Sequence, residues 1–330
     1  MNTTLEKPGT DLAFLNPLID AVGLQKAVPA IAKDPVLVQR IESIVRTLPT
    51  HHKLVLGDSR NLTQIPDESV HLVVCSPPYW NLKRYEDSPA QLGNIDDYEA
   101  FLQELSRVWS ECFRVLVPGG RLVIVVGDVC VSRKQSGRHY VMPLHASIIE
   151  ACRALGFDNL SPIIWHKIAN ATFEVNNGGA GILGKPYEPN AVIKNDIEYI
   201  LMQRKPGAYR KPDSSARLLS TISQENHRRW FRQIWSDLPG ASTRDHPAPY
   251  PVELTNRLIR MFSFVGDTVL DPFVGTGSTI IAAAAAGRNS IGIEVDPTYL
   301  EYAYEKITRQ GIALEKPESL KKYQTNITGY

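Results

Sequence analysis

Cysteine is scarce in this chain of 330 residues, and its placement argues against two kinds of architecture. The four cysteines (Cys75, Cys112, Cys130 and Cys152) lie far apart and form no Cys-x-x-Cys pair. Zinc modules need closely spaced thiol ligands, and small secreted domains need a denser cysteine framework. The sequence therefore predicts neither a metal site nor disulfides, and a reducing cytoplasm fits it best.

Long apolar runs and a strong net charge are also missing. The longest apolar stretch, "IIAAAAAG", is far shorter than the roughly 20 residues that span a bilayer, so we expect no membrane partner. The N-terminal "MNTTLEKPGT" is polar with no apolar segment after it, which argues against a signal peptide. The net charge is +1, so only a local basic segment could indicate nucleic acid.

The chain does contain a regular alternation of short apolar runs and helical patterns. Helical periodicity marks 97–116, 142–156 and 253–263, and residues 1–50 read as a helical extension. This alternation predicts an α/β fold with a mostly parallel sheet buried on both faces. The seven predicted strands are "HKLVLGD" (52–58), "VHLVVCSPP" (70–78), "RLVIVVGD" (121–128), "SPIIWHK" (161–167), "IEYILMQRK" (197–205), "DTVLDPFVG" (267–275) and "NSIGIEVD" (289–296).

Polar groups collect where these strands end. Ligands of parallel sheets bind at the carboxyl ends of the strands. Two consecutive prolines stop the second run and hold Ser76 and Tyr79 on a stiff turn. Four runs also carry an acid at or near their ends, namely Asp58, Asp128, Asp271 and Glu294.

A glycine loop follows the sixth strand. Gly275 and Gly277 open the helix "STIIAAAAAG", and glycines let the backbone approach a ligand at a helix N-terminus. The third glycine of a dinucleotide fingerprint is absent, and so is a Walker lysine. Glu294, at the end of the next strand, can accept both hydroxyls of a ribose. A nucleoside cofactor without a pyrophosphate fits this pair best, and we predict S-adenosyl-L-methionine; a helix that merely packs on its strand is the alternative.

A basic segment lies between the two halves of the pattern. Residues 203–233 carry eight Lys or Arg against two acids, with aromatic residues interleaved. Either a solvated charged face or a phosphate-contacting surface would give this composition, and we favour the second. The predicted DNA contacts are Arg204, Lys205, Arg210, Lys211, Arg228, Arg229 and Arg232; the eighth basic residue of the segment, Arg217, is not among them.

The two motifs together resemble the DNA amino-methyltransferases that act on N4 of cytosine or N6 of adenine. Ser76-Pro77-Pro78-Tyr79 matches the family's catalytic motif, and 271–277 ("DPFVGTG") matches its cofactor motif. The segments 246–259 and 91–128 also resemble family blocks, so the resemblance covers roughly 50–165 and 240–305. Because the catalytic motif precedes the cofactor motif, the chain resembles the circularly permuted beta group.

This resemblance implies a Rossmann-like fold with seven strands in the order 3-2-1-4-5-7-6, strand 7 being antiparallel. In chain order, our seven runs would be the family's strands 3, 4, 5, 6, 7, 1 and 2. The implied organisation is a helical extension (1–50), a catalytic half (51–167), a target-recognition region (168–240), a cofactor half (241–310) and a tail (311–330). Strand 7, near 197–205, belongs to the sheet despite lying inside the recognition region.

Residue roles follow from the resemblance and from simple chemistry. Ser76 and the Pro77 carbonyl would accept hydrogen bonds from the target amine, and Tyr79 would stack on a base flipped out of the duplex. Cys75 reads as a buried strand residue rather than a nucleophile. We expect the cofactor to contact Asp58 (adenine), Glu294 (ribose), Phe273 (adenosine), Asp271 and His246 (methionine end), with Pro247, Tyr250, Pro272, Gly275, Thr276 and Gly277 completing the site.

The target base and the partners are less constrained. Serine in the first motif position favours cytosine N4, with adenine N6 as the alternative. A catalytically inactive module that binds the cofactor and recognises DNA is a hypothesis from another class, and the intact "SPPY" argues against it. Double-stranded DNA is the expected partner. A cognate restriction endonuclease and a homodimer are further partners that the resemblance allows.

Overall fold

The computed structural model describes residues 12–82, 90–167, 195–240, 251–314 and Pro317. The strands in these ranges are β1 (His52–Leu56), β2 (Val70–Cys75), β3 (Leu116–Val126), β4 (Val129–Val131), β5 (Tyr140–Met142), β6 (Asp158–His166), β7 (Ile197–Arg204), β8 (Ile234–Trp235), β9 (Thr268–Asp271) and β10 (Asn289–Glu294). The α-helices are α1 (Asn16–Val22), α2 (Leu24–Lys33), α3 (Pro35–Thr47), α4 (Tyr98–Val115), α5 (Arg133–Ser136), α6 (Leu144–Ala154), α7 (Ser214–Leu219), α8 (Gln224–Trp230), α9 (Val252–Phe262), α10 (Ser278–Ala285) and α11 (Pro297–Thr308).

The main sheet contains eight strands in the order β1-β10-β9-β2-β3-β7-β6-β8. The first five are mutually parallel, and β7 runs antiparallel to both β3 and β6. The seven predicted strands therefore lie side by side in the predicted order, 3-2-1-4-5-7-6. The predicted antiparallel strand, β7, lies between β3 and β6.

The predicted strand count was wrong, and the full order differs from the prediction by one edge strand. β8 pairs in parallel with β6 through Ile164↔Ile234 and Trp165↔Trp235. Two residues are too short to show a period-2 pattern, so no periodicity in the sequence indicates this strand. Because Trp235 is buried, β8 makes part of the predicted recognition region an integral edge of the sheet.

Side-chain alternation explains why both faces of the sheet are covered. In β3, Leu122, Ile124 and Val126 belong to the core beneath α4 and α6. The intervening Val123 and Val125 belong to the core beneath α9 and α10 on the other face. Period-2 alternation in an apolar strand produces this division, which confirms the predicted α/β sheet buried on both faces.

The predicted N-terminal helices are present in the described part of the extension. Asp34 caps α3, its carboxylate accepting from Val36 N at 2.9 Å. The apolar sides of α1, α2 and α3 form a small core that includes Leu15, Ile31 and Ile41. Leu218 and Leu219 of α7 join the same core, so the extension packs against the region after β7.

No helix among the described residues is long and apolar enough to cross a bilayer. The described residues also contain no cluster of three or more His, Cys, Asp or Glu side chains that could hold a metal ion. All four cysteines are free thiols. Cys75 is fully buried and burial raises the pKa of its thiol, which confirms its prediction as a buried strand residue.

Candidate active site

The two motifs meet at the carboxyl edge of the sheet. β2 and β9 are adjacent and parallel, with Leu72↔Val269 and Val73↔Leu270 as partners. The chain leaves β2 into the "SPPY" turn and leaves β9 into the glycine loop. Both segments line one cleft, which holds about 850 Å³ of space when the space open to solvent is counted. The cleft brings together Asp58, Ser76, Pro77, Pro78, Pro272, Phe273, Gly275, Thr276 and Glu294 from the predicted set.

Glu294 is the acid of the cleft, and its backbone neighbours hold it in place. Its Oε1 accepts from Val295 N and Asp296 N, and its Oε2 accepts from Gly275 N, each at 3.0 Å. Burial raises the pKa of Glu294 to about 7, although these N–H groups favour the ionised form. A carboxylate offers about four lone-pair positions. One position, on Oε2, therefore remains for a hydroxyl donor of a ligand.

Asp58 faces the same cleft but is already engaged. Its carboxylate accepts from Arg60 Nη2 at 2.6 Å and from Arg60 N at 2.9 Å, and Arg60 also contacts Glu104. Burial opposes ionisation of Asp58, but the hydrogen bonds and charge of Arg60 outweigh it and lower the pKa of Asp58. The carboxylate is therefore fixed and ionised at the cleft, where contact with the adenine amino group stays a prediction.

Asp271 lies beneath the glycine loop rather than in the cleft. Its side chain is fully buried and accepts from Phe273 N at 2.9 Å and from Thr279 Oγ1. These two bonds tie the start of the loop to the first turn of α10. The geometry supports a positioning role for Asp271 in place of the predicted contact with the methionine end.

Gly277 is held by its own conformation and by its neighbours, and its predicted contact with the cofactor stays a prediction. Its φ is +80°, and an added Cβ would lie 2.7 Å from Ile307 Cδ1 and 3.5 Å from Ala303 Cβ. Glycine is therefore required here by the backbone and by the approach of α11. Gly275 N, by contrast, donates to Glu294 within the cleft.

We predict that Gly277→Ala lowers the free energy of unfolding by about 1–3 kcal/mol, because it combines left-handed strain with overpacking. Gly266→Ala is the matched control, since Gly266 has a φ of +85° and nothing within 4 Å of its Cβ position. Chemical denaturation of both variants separates the backbone strain, which both share, from the overpacking, which only Gly277→Ala has. Adding Ile307→Val to Gly277→Ala should restore part of the lost stability. Equal stability of the two variants, with cofactor binding lost only in Gly277→Ala, would support the original placement.

The "SPPY" turn places two hydroxyls side by side: Ser76 lines the cleft, whereas the predicted Tyr79 lies next to Ser76 and is not one of the lining residues. Ser76 Oγ lies 3.2 Å from Tyr79 Oη, which also donates to the Val125 carbonyl at 3.3 Å. Gly127 packs against the Tyr79 ring, with its Cβ position 3.4 Å from Tyr79 Cε2. Trp80 has a φ of +47°, a strained value for a bulky residue and one that often marks functional turns.

Trp80 itself packs the loop. Its ring meets Tyr98 edge-to-face at 5.2 Å, and its Nε1 donates to the Asp96 carbonyl at 3.2 Å. The strained backbone thus directs Ser76 and Tyr79 one way and anchors the indole in the other. His246, Pro247 and Tyr250 of the predicted site lie outside the described residues.

Sequence reasoning missed several residues of the site. Gln91 and Tyr299 line the cleft, and no motif or spacing marks them. Beside the "SPPY" turn, His145 Nδ1 lies 2.7 Å from Asp128 Oδ1, and its ring stacks on Tyr199 at 3.8 Å. Asp128 carried a signal as an acid at a strand end, but its partner His145 lies on a separate helix with no pattern to reveal it.

The predicted DNA-binding set divides into two groups. β7 is antiparallel, so its last residues lie at the amino edge of the sheet, opposite Ser76. Arg204 pairs there with Asp158 at 2.7 Å, Lys205 with Glu68 at 3.1 Å, and Arg210 with Asp267. Charges neutralised at the far edge are poorly placed for DNA, and this corrects the assignment of Arg204, Lys205 and Arg210.

The other four predicted contacts are exposed. Arg229 pairs with Asp237 at 2.9 Å, and Arg232 Nε donates to the Arg228 carbonyl at 2.8 Å. Within the described residues, no ion pair is found for Lys211, Arg228 or Arg232. Arg228 and Arg232 keep the prediction of phosphate contact, whereas Lys211 directly follows Arg210 and therefore lies at the same far edge of the sheet.

We predict that Arg228→Ala/Arg232→Ala weakens DNA binding and flattens the log–log dependence of affinity on salt, by up to about 0.9 per lost phosphate contact. The charge-matched control is Arg107→Ala/Arg153→Ala, where both arginines pair with a glutamate on their own helix. Titrations of a labelled duplex at several salt concentrations measure the slopes. Equal slopes of log affinity against log salt for all three proteins would mean that this surface is a solvated charged face that does not contact DNA.

The fold and cleft define the class of protein: a Rossmann-like α/β domain of the S-adenosylmethionine-dependent methyltransferase type. Residues 70–305 match the sequence profile of the N6/N4 methyltransferase family, described as DNA methylase. The chain belongs to this family of DNA methyltransferases. It is 40% identical over 290 residues to the Type II methyltransferase M.MjaI of Methanocaldococcus jannaschii, covering 79% of this chain and 92% of that protein.

Solved structures agree with this placement. The chain is 55% identical to TTHA0409 of Thermus thermophilus, solved in complex with S-adenosyl-L-methionine, with a TM-score of 0.67 over 80% of this chain and 97% of that one. The cytosine-N4-specific PvuII DNA methyltransferase shares the fold, with a TM-score of 0.57 at 20% identity over 81% of this chain and 96% of that one. The predicted cofactor, S-adenosyl-L-methionine, is confirmed at the level of the family.

Proposed function

We propose that this protein methylates N4 of cytosine in double-stranded DNA, as a member of the permuted beta group of its family. The observation that carries the proposal is Ser76 on a rigid turn beside the cofactor loop, in one cleft. Adenine N6 is the alternative acceptor, and the family profile covers both. Because the serine side chain is short and neutral, we favour cytosine, the smaller base, over adenine as the target.

The residues of the cleft fit the cofactor. A carboxylate at Glu294 suits the hydroxyl donors of a ribose, and an apolar ring at Phe273 suits the face of an adenine. We propose that Glu294 Oε2 accepts a hydrogen bond from a ribose hydroxyl. The Asp58 carboxylate would accept a hydrogen bond from the adenine amino group. When bound, the cofactor supplies an electrophilic methyl group on a sulfonium.

Ser76 and Pro77 would prepare the nucleophile. The lone pair of an exocyclic amine is conjugated with its ring, which makes the nitrogen a poor nucleophile. Hydrogen bonds accepted by Ser76 Oγ and the Pro77 carbonyl favour a pyramidal nitrogen with an available lone pair. A serine hydroxyl is too weak a base to remove the proton first, so the proton leaves to solvent during or after formation of the N–C bond.

Tyr79 would hold the flipped base. Its ring is fixed by the Val125 carbonyl and by the close approach of Gly127, so little side-chain freedom is lost when a base stacks on it. Extrusion from the duplex costs a few kcal/mol, which such stacking offsets in part. The combination of a rigid turn and a fixed ring suits a site that must hold a planar base.

Labelled methyl transfer from S-adenosyl-L-methionine to long unmethylated duplex DNA tests the proposal. Long DNA contains most short sites, so the recognition sequence need not be known. We expect incorporation that requires intact Ser76. Tight cofactor and DNA binding without incorporation would favour a catalytically inactive recognition module. A cognate endonuclease and a homodimer stay predictions for this chain.

A further inference from the structure

We propose that residues 132–139, here called the basic arm, contact the phosphates of the DNA that enters the catalytic cleft. The arm has the sequence Ser-Arg-Lys-Gln-Ser-Gly-Arg-His and contains no acid. It comprises α5 and the residues around it, between β4 and β5. The inference rests on the proposed function, because it names a surface for the same substrate.

A small ribbon fixes the base of the arm. β4 and β5 pair in an antiparallel manner through Val129↔Met142 and Val131↔Tyr140. Val129 and Val131 are buried, and Val129 with Met142 packs against the core beneath α4 and α6. The ribbon therefore projects from the body of the protein at a fixed position.

Hydrogen bonds between neutral groups order the arm. Gln135 Oε1 accepts from Ser132 N at 3.1 Å and from Ser132 Oγ at 2.9 Å, which closes a capping box. Gly137 ends the turn in the left-handed region with a φ of +76°. Ser136 Oγ donates to the Arg138 carbonyl at 2.7 Å. A turn that is preordered in this way costs little further entropy when its cations meet a ligand.

The cations of the arm face solvent. All eight residues, 132–139, are exposed. Arg138 lies over the Tyr140 ring at 5.4 Å, a cation–π contact. The acid nearest in sequence, Asp128, lies outside the arm, is mostly buried and contacts His145 at 2.7 Å.

The arm stands on the same edge of the sheet as the catalytic turn. It follows β3, whose carboxyl end contacts Tyr79 through Val125 and Gly127. Ser132 follows Gly127 by about five residues, and an extended chain of that length spans at most about 18 Å. The major groove alone is about 12 Å wide and admits a two-stranded ribbon. A duplex that presents a base to Ser76 is therefore broad enough to cover the arm.

Lys134 and Arg138 provide the test. In Lys134→Ala/Arg138→Ala we expect weaker binding of a labelled random-sequence duplex and a log–log salt slope lowered by up to about 1.8, since each phosphate contact contributes about 0.9. Lys134→Arg/Arg138→Lys keeps the charge and should keep the slope. The charge-matched control is Arg107→Ala/Arg153→Ala, and cofactor affinity should be unchanged in every variant.

The outcomes separate the arm from the proposed function. Suppose that the wild-type protein methylates DNA but Lys134→Ala/Arg138→Ala has the same log–log salt slope as the control. That result would overturn the role of the arm and leave the proposed function standing. Wild-type protein that binds no DNA and transfers no methyl group to it would overturn the proposed function and the arm together. A flattened slope in Lys134→Ala/Arg138→Ala only, with methyl transfer retained at saturating DNA, would establish the arm as a phosphate contact.

Discussion

Ser76→Ala is expected to lower the rate of methyl transfer to DNA by about 100- to 1,000-fold, the effect typical of removing one preorganised polar partner of a transition state. Ser76 Oγ accepts no backbone bond that shapes the turn; its described partner is Tyr79 Oη at 3.2 Å. The prolines, not the hydroxyl, hold the backbone. We therefore expect near-normal cofactor affinity and stability. Single-turnover transfer and calorimetric titration with S-adenosyl-L-methionine measure the two quantities.

Two companion variants make this result specific. Ser43→Ala removes a hydroxyl from the exposed side of α3 and should leave transfer unchanged. Tyr79→Phe removes the hydroxyl next to Ser76 but keeps the ring for stacking, so it should cost less than Ser76→Ala. Parallel loss of cofactor affinity and transfer in Ser76→Ala would mean that Ser76 is structural.

The second large effect is a pH dependence of nucleoside binding that arises from Glu294. The pKa of Glu294 is raised to about 7 by burial, and a ribose hydroxyl donates best to the ionised carboxylate. Affinity should therefore rise with pH up to this pKa and then level off. We predict that adenosine affinity falls by up to about tenfold for each pH unit below the pKa. Adenosine is the suitable ligand because it has no group of its own that titrates in this range.

Stability should respond to pH in the opposite sense. The folded pKa of Glu294 lies above its ordinary value, so the free protein loses stability as pH rises from the ordinary pKa to about 7. Glu294→Gln should remove both dependences and weaken adenosine binding at neutral pH. Adenosine affinity that is as pH-independent in the wild-type protein as in Glu294→Gln would contradict the assigned role.

The sequence predicted the parts of the fold that depend on local pattern. Apolar runs such as 70–75 and 289–294 became strands because burial on both faces requires continuous apolar residues. The meeting of the two motifs followed from placing β2 beside β9, which the resemblance implied and the pairing confirms. The short β8 could not be predicted, because its partners lie about 70 residues away and its two residues show no periodicity.

Roles of individual side chains were harder to predict than their location. Asp271 and Gly277 belong to the cofactor motif, yet Asp271 bonds the loop and Gly277 accommodates Ile307. A motif identifies residues that a site requires without separating those that touch the ligand from those that shape the loop. The basic segment misled for a related reason: composition does not show at which edge of the sheet a charge lies, or that Arg210 is paired with Asp267.

Nucleoside mass spectrometry of DNA methylated by the purified protein tests the central claim most directly. Unmethylated duplex DNA would be incubated with the protein and S-adenosyl-L-methionine carrying a deuterated methyl group, and then digested to nucleosides. We predict deuterated N4-methylcytosine, formed about 100- to 1,000-fold more slowly by the Ser76→Ala protein. Deuterated N6-methyladenine would keep the mechanism and reassign the base, whereas 5-methylcytosine or no labelled nucleoside would contradict the account.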